Sequence, residues 1–215
     1  MIKDSKTEKV LIVEENSFVR QLICELISNL GYQCETASNY NDAIKLSLSF
    51  SPDLVITELD LGSKPTGVDL INTLIKEFPK IQLVALTTYT SPTLIDSKVK
   101  SFPSRVQYIL KNNFPKDLSF KEIIQNALDH KKGSASSLSK PADAIFLSNS
   151  QAELLKLMAQ GLSNQAIAKK RGTTLRAVEA LINRTFDAMK LDEHEATNLR
   201  VEAVKLWNSS KIYLK

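Results

Sequence analysis

The chain of 215 residues is poor in metal-binding and thiol side chains, with two cysteines, Cys24 and Cys34, and two histidines, His130 and His194. Because these residues form no cluster, we expect no structural zinc site. No run of about 18 apolar residues is present to cross a bilayer, and the first residues lack the apolar core of a signal peptide. The predicted location is therefore the cytosol, away from membranes. In that reducing compartment, Cys24 and Cys34 are expected to be packed thiols rather than a disulfide.

The composition is that of an ordinary globular protein, with 43% hydrophobic and 24% charged residues and a formal net charge of +4. The charge is unevenly distributed. Residues 1–130 carry 14 Lys and Arg against 16 Asp and Glu, a net −2, and residues 131–215 carry 14 against 8, a net +6. This asymmetry predicts contact with nucleic acid through the second half, although a solvated basic surface would give the same sum.

The first half alternates apolar β-branched runs with helical patterns, starting with Val10-Leu11-Ile12-Val13 and an apolar series at helical spacing from Val19 to Leu30. The further strands are predicted over 33–37, 54–57, 82–87 and 106–110. The further helices are predicted over 41–49, 68–78 and 120–129, with at most a short helix between 89 and 104. This order predicts an α/β fold over 1–130, a five-stranded parallel doubly wound sheet of the flavodoxin-like kind.

The second half has a different pattern. Residues 131–144, with several serines and lysines, Gly133 and Pro141, are predicted to be a linker. Residues 145–215 are predicted to be an all-α domain, with helices that begin after Ser148, Ser163 and Thr174. The last two of these are a candidate helix-turn-helix, and a further helix extends to Trp207, which either packs on the bundle or contributes to dimerisation.

Polar side chains stand at the ends of the predicted strands: Glu14 and Glu15 follow the first, Glu58 follows the third, Thr87 ends the fourth and Lys111 follows the fifth. Ligands of open α/β sheets bind beyond the carboxyl ends of the strands, so these side chains are expected to meet. Carboxylate oxygens suit Mg²⁺, for which Glu14, Glu15 and Glu58 are the candidate ligands, while Thr87 and Lys111 suit phosphoryl oxygens. The plainer alternative is a sheet rim with a solvated cluster of acids.

Four segments resemble the receiver domain of two-component response regulators: residues 10–17, residues 52–58, Leu86-Thr87 and residues 108–111. The resemblance implies five parallel strands wrapped by helices. It also implies transfer of a phosphoryl group from a partner histidine kinase to an Asp at the end of the third strand. Tyr108 lies where receivers often carry an aromatic switch residue, although an ordinary edge-strand tyrosine fits as well.

The chain departs from this family at the position of the phosphate-accepting residue. Glu58 stands where receivers carry the phosphate-accepting Asp, and its longer side chain reaches toward the space of the phosphoryl group. Three glutamates would also crowd a magnesium ion. We therefore predict a receiver that works without phosphorylation, in which Glu58 pairs with Lys111, accepts a hydrogen bond from Thr87 and imitates the activated state. Retained phosphorylation, on Glu58 or on the neighbouring Asp60, is the alternative.

Residues 145–192 resemble the DNA-binding domain of NarL/LuxR-type regulators, most specifically in Gly161-Leu162-Ser163-Asn164 followed by Ile167-Ala168. The resemblance implies that the second helix of the helix-turn-helix enters the DNA major groove. The residues expected at DNA are Lys169, Lys170, Arg171, Thr173, Thr174, Arg176, Glu179, Asn183 and Arg184. Glu179 departs from the family's usual Lys, and it either accepts a hydrogen bond from a cytosine or weakens binding. A solvated charged helix face is the plainer alternative.

Together these patterns predict a cytoplasmic, DNA-binding transcription regulator that acts as a homodimer on two half-sites of double-stranded DNA. No nucleophile and base are recognisable, so no enzyme is expected, and no cofactor is required beyond a possible Mg²⁺. Two alternatives stay open. One is a conventional response regulator phosphorylated by a histidine kinase, and the other is a signalling adaptor that does not bind DNA.

Overall fold

A computed structural model describes residues 7–111, 119–129, 143–191, 198–209 and 211–215. The chain divides into two compact units. The first is formed by Met1–Thr87 with Lys98–Leu138, and the second by Thr88–Ser97 with Ser139–Lys215. The predicted linker falls almost wholly outside the described residues. None of the described helices is long and apolar enough to span a membrane.

The first unit contains a five-stranded parallel sheet in the order β2-β1-β3-β4-β5, as predicted for a doubly wound receiver. Its strands are β1 (Lys9–Val13), β2 (Gln33–Ala37), β3 (Leu54–Thr57), β4 (Gln82–Thr87) and β5 (Val106–Leu110). Its helices are α1 (Ser17–Asn29), α2 (Tyr40–Ser49), α3 (Gly67–Glu77) and α4 (Phe120–Leu128). The predicted α/β fold class is confirmed.

The central strands are buried on both faces, as expected for parallel strands covered by helices. On one face, Ile23 and Ile27 of α1 and Ile123 and Ile124 of α4 complete an apolar cluster. The register aligns the strand ends, since Val13 pairs with both Ala37 and Thr57. Residues that follow β1, β3, β4 and β5 therefore emerge at one edge of the sheet.

Cys24 of α1 and Cys34 of β2 form a disulfide, so the expectation of two free thiols is wrong. The chain reverses direction at Gly31, which has φ +93° and can adopt the left-handed conformation at little cost. Helix α1 thus packs back on the strand that follows it, and the two Cα atoms lie 5.7 Å apart, within bridging range. The separation of ten residues along the chain does not by itself predict that Cys24 and Cys34 come together.

The second unit is mainly helical, but the prediction that it contains only helices is wrong. Its elements are a 3₁₀ turn (Pro92–Leu94), β6 (Ile145–Leu147), α5 (Asn149–Ala159), α6 (Asn164–Arg171), α7 (Leu175–Ala188), α8 (Leu199–Trp207) and β7 (Ile212–Leu214). Strands β6 and β7 pair in parallel. Each has three residues, which is too short for an alternating pattern to appear in the sequence.

The segment that follows β4 is part of the core of this second unit. Leu94 is buried in its apolar cluster, and the ring of Tyr89 meets Trp207 edge-on with centroids 5.6 Å apart. Lys156 Nζ donates to the carbonyl of Ile95 at 3.0 Å, and the Thr90 hydroxyl donates to a carbonyl of β7. The core is therefore assembled from two separate stretches of sequence.

Candidate functional site

Three of the predicted pocket residues form a buried charge cluster at the edge where the strands end. Glu14 follows β1, Glu58 follows β3 and Lys111 follows β5. Lys111 Nζ lies 2.5 Å from Glu14 Oε2 and 2.7 Å from Glu58 Oε2. The two glutamates are 5% and 7% exposed. The ammonium group thus bridges two carboxylates that are almost out of contact with water.

The second oxygen of Glu58 is also fully used. Glu58 Oε1 accepts the hydroxyl proton of Thr87, which is itself buried, and the backbone N–H of Leu59 at 2.7 Å. Hydrogen bonds to a carboxylate are among the stronger ones in proteins. The backbone N–H of Asp60 also lies 3.4 Å from Oε1, so four partners from three segments of the chain hold Glu58 in one orientation.

Burial and ion pairing shift the pKa values of Glu58 and Lys111 in opposite directions. Burial raises the pKa of Glu58 above its usual range, and the neighbouring Lys111 only partly offsets this. For Lys111, burial acts to lower the pKa, but attraction to Glu58 and the hydrogen bonds to both glutamates outweigh it and raise the pKa. Lys111 is therefore firmly charged at neutral pH.

Glu15 lies outside this cluster. It is exposed, and its carboxylate sits against Gly62, where a Cβ atom would clash with it. Burial raises the pKa of Glu15, and the charges of Asp60 and Glu14 add to the effect. Asp60 accepts the N–H of Gly62 at 3.1 Å and so closes the turn after β3.

Tyr108 lies on β5 near the cluster. Its side chain is half-buried, and its ring packs against Phe102 with centroids 6.4 Å apart. Burial and the charge of Glu58 raise the pKa of Tyr108 well above its ordinary value.

Arg20 is a residue that the sequence interpretation missed. Its guanidinium donates to the carbonyls of Glu14 and Glu15 at 2.6 and 3.1 Å and fixes the turn between β1 and α1.

The pocket does not fit a magnesium ion. Within the described part of the chain, no three acidic, histidine or cysteine side chains are grouped as metal ligands. The predicted ligands Glu14 and Glu58 instead face the ammonium of Lys111, and Glu15 turns toward Gly62. A second cation beside Lys111 would be repelled, because charges at such distances interact strongly in a buried site.

The second unit presents the predicted helix-turn-helix. Helix α6 ends in Lys169-Lys170-Arg171, and Gly172 follows with φ +62°, the left-handed conformation that commonly ends a helix. The Thr174 hydroxyl accepts the N–H of Ala177 at 3.2 Å and caps α7. The turn and the caps therefore form as the sequence indicates.

Most side chains predicted to contact DNA are exposed. The exposed ones are Lys169, Lys170, Thr173, Thr174, Arg176, Glu179, Asn183 and Arg184. Arg171 differs from them. Its guanidinium pairs with Glu153 at 2.7 Å and donates to the Ser150 hydroxyl at 2.8 Å, so it ties α6 to α5. Its role in this structure is internal.

The order of strands, the acidic strand ends and the lysine after β5 define a receiver domain. Residues 10–125 match the response regulator receiver domain, and the chain belongs to this family.

The chain is similar over most of its length to proteins named as regulators. The response regulator protein VraR of Staphylococcus saprophyticus is 27% identical, over 86% of this chain and 91% of that protein. The transcriptional regulatory protein ComA of Bacillus subtilis is 24% identical, over 95% and 99%. Among solved structures, RcsB of Salmonella enterica serovar Typhimurium bound to a promoter has a TM-score of 0.52 at 15% identity, over 94% of this chain and 100% of that one. A structure of two RcsB dimers on two DNAs has a TM-score of 0.56 at 18% identity, with the same coverage.

Proposed function

We propose that this chain is a DNA-binding transcription regulator whose receiver acts without phosphorylation. The observation that carries the proposal is the bridge of Lys111 between Glu14 and Glu58. In a phosphorylated receiver, a bound cation and the added phosphoryl group would have to enter this space. Here the ammonium of Lys111 stands in the place of the cation, and the carboxylate of the longer Glu58 stands in the place of the phosphoryl group.

The contacts of Glu58 favour a constant state of the pocket. Its carboxylate engages Thr87 and Lys111 together, two side chains that the family resemblance assigns to the phosphoryl group. An attack on a phosphodonor would require the buried Glu58 carboxylate to leave four partners, and unmade hydrogen bonds of a buried group are costly. The cluster therefore resembles a permanently occupied phosphoryl site.

For the second unit we propose binding of duplex DNA through the exposed surface around Arg176. From residue 160 to 190 the chain has six basic residues against two acidic ones. The start of α7 offers hydroxyls and the helix N-terminus to phosphate oxygens. The similar RcsB structures, one bound to a promoter and one containing dimers on DNA, favour the same role and a homodimer.

The receiver proposal is tested by incubation with Mg²⁺ and a small acyl phosphate, followed by intact mass measurement. We expect no phosphoryl adduct on the wild-type chain. The matched variant is Glu58→Asp, which shortens the side chain and frees the space of the phosphoryl group. A base-labile adduct on Glu58 or Asp60 of the wild-type chain would refute phosphorylation independence.

The DNA proposal is tested by titrating duplex DNA at several salt concentrations. We expect the affinity to fall steeply with salt, because binding at phosphates releases counterions. Arg176→Ala should weaken binding, while Lys45→Ala, on the exposed surface of the first unit, should not. If no duplex binds at low salt, the chain acts as an adaptor and the DNA proposal is wrong.

A further inference from the structure

The disulfide between Cys24 and Cys34 lies where thiols in solution can reach it. Cys34 belongs to β2, which is the edge strand of the five-stranded sheet, and Cys24 lies on α1 beside that strand. Both side chains are partly exposed. Thiol–disulfide exchange requires direct attack of a thiolate on one of the two sulfurs, so access to the sulfurs is one of the factors that set its rate. The bond is therefore open to attack in the folded protein.

Helix α1 is also attached to the sheet by contacts that do not depend on the disulfide. Ile23 and Ile27 are buried in the apolar cluster on this face of the sheet, and Cys34 packs against the same cluster. A free cysteine behaves as a small apolar side chain, so the thiol of Cys34 also suits this position. We therefore expect a reduced state that keeps its fold, in which α1 has lost its covalent link to β2.

The helix face that carries the disulfide also holds the turn that carries Glu14. Arg20 is four residues before Cys24, so the two side chains lie on the same face of α1, one turn apart. The Arg20 guanidinium donates to the backbone carbonyls of Glu14 and Glu15 at 2.6 and 3.1 Å. The carboxylate of Glu14 in turn lies 2.5 Å from Lys111 Nζ. A change in the position of α1 would therefore reach the charge cluster through Arg20.

The reducing environment gives this arrangement its significance. The argument at this step rests on the proposed function, because a DNA-binding regulator works beside DNA, in a compartment where thiols are kept reduced. Disulfides in such compartments are rare, and those that occur are usually transient and catalytic or redox-sensing. The two thiols expected from the sequence and the disulfide of the structure are then two states of one pair of side chains.

We propose that Cys24 and Cys34 are a thiol–disulfide exchange site, through which dithiol reductants loosen the turn that holds Glu14. In the first step, a thiolate of the dithiol attacks one sulfur of the disulfide, and the other sulfur leaves as a thiolate and takes up a proton. In the second step, the other thiol of the reductant attacks the mixed disulfide and releases the second cysteine. In total, two electrons and two protons pass to the cysteine pair, and the dithiol becomes a cyclic disulfide.

The first test measures exchange in the folded full-length chain. The oxidised chain is incubated without urea in about 1 mM dithiothreitol, samples are quenched with N-ethylmaleimide, and the intact mass is measured. We expect both cysteines to be labelled together within minutes, on the time scale of accessible disulfides. Oxidised glutathione should then restore the bridged form of an unlabelled reduced sample. Labelling that occurs only at urea concentrations that unfold the first unit would show a purely structural disulfide and would overturn the proposal.

The second test asks whether reduction reaches the charge cluster. In ¹H–¹⁵N NMR spectra, we expect reduction to shift the amide signals of Asn16, whose N–H donates to Glu14 Oε1 at 3.0 Å, and of Lys111. Arg20→Gln should abolish these two shifts and keep those next to the cysteines. A variant with both Cys24→Ser and Cys34→Ser is the control, and dithiothreitol should leave its spectrum unchanged. If the wild-type shifts are confined to the neighbours of the two cysteines, the link to the pocket is refuted.

Neither test uses DNA or a phosphodonor, so the two proposals can fail separately. A chain that binds duplex DNA but resists dithiothreitol until it unfolds would refute the exchange site alone. A chain that is reduced as expected but binds no duplex at low salt would refute the DNA-binding function alone.

Discussion

The bridge formed by Lys111 leads to a strong stability prediction. Lys111→Met keeps most of the volume of the side chain but leaves Glu14 and Glu58 facing each other without a cation. Removing one partner of a buried ion pair costs about 3–5 kcal/mol of unfolding free energy. Because 24% of the Lys111 side chain is exposed, water screens part of this, and we expect a loss of about 2–4 kcal/mol.

Urea unfolding followed by circular dichroism measures this loss. Trp207 is the single tryptophan and lies in the second unit, so its fluorescence reports how far the change at Lys111 affects that unit. Lys45→Met is the matched control, because Lys45 pairs with Asp42 at 3.3 Å on the surface, where an ion pair contributes at most about 1 kcal/mol.

A double variant identifies the origin of the effect. Glu58→Gln removes one of the two stranded charges, so Lys111→Met combined with Glu58→Gln should recover part of the lost stability. If Lys111→Met cost no more than Lys45→Met, or if Glu58→Gln gave no recovery, the bridge would not stabilise the pocket and the reasoning would be refuted.

Three further predictions follow from the same structure. The raised pKa of Glu58 means that the native state binds a proton at higher pH than the unfolded chain, so this group's contribution to stability is present below about pH 4.5 and is lost as the pH rises through the native pKa. The unfolding free energy of the wild type should therefore fall relative to that of Glu58→Gln as the pH rises above about 4.5. A difference between the two that does not change with pH would contradict this prediction. Leu94→Ala should cost about 2–4 kcal/mol and should shift the Trp207 transition, which would stay unchanged if Leu94 were outside that core. Arg176→Ala should lower the slope of log affinity against log salt by about one if Arg176 contacts a phosphate, whereas an unchanged slope would exclude that contact.

The sheet and its helices are predictable from sequence because their patterns are long and regular. Strands β1 and β3 are short apolar runs bounded by polar residues, and α1 has a helical series that ends before Gly31. The carboxyl ends of parallel strands meet at one edge, so Glu14, Glu58, Thr87 and Lys111 could be expected together from their positions alone.

Contacts between distant residues were predicted less well. The disulfide depends on how α1 packs on β2, and the pairing of β6 with β7 depends on two triplets that are 65 residues apart (from 147 to 212). The basic run Lys169-Lys170-Arg171 predicts Arg171 at DNA. Only its spatial approach to Glu153 and Ser150 shows that it is a structural link.

The position of Thr88–Ser97 changes how this protein can be divided. A fragment that begins in the serine- and lysine-rich stretch near residue 140 would lack Tyr89 and Leu94, and Trp207 would lose its aromatic neighbour. Chimeras that exchange the amino-terminal 130 residues for those of another regulator would also exchange a piece of the carboxyl-terminal core. In evolution, the two halves would therefore have to change together at these positions, and recombination between residues 131 and 144 would carry a folding cost.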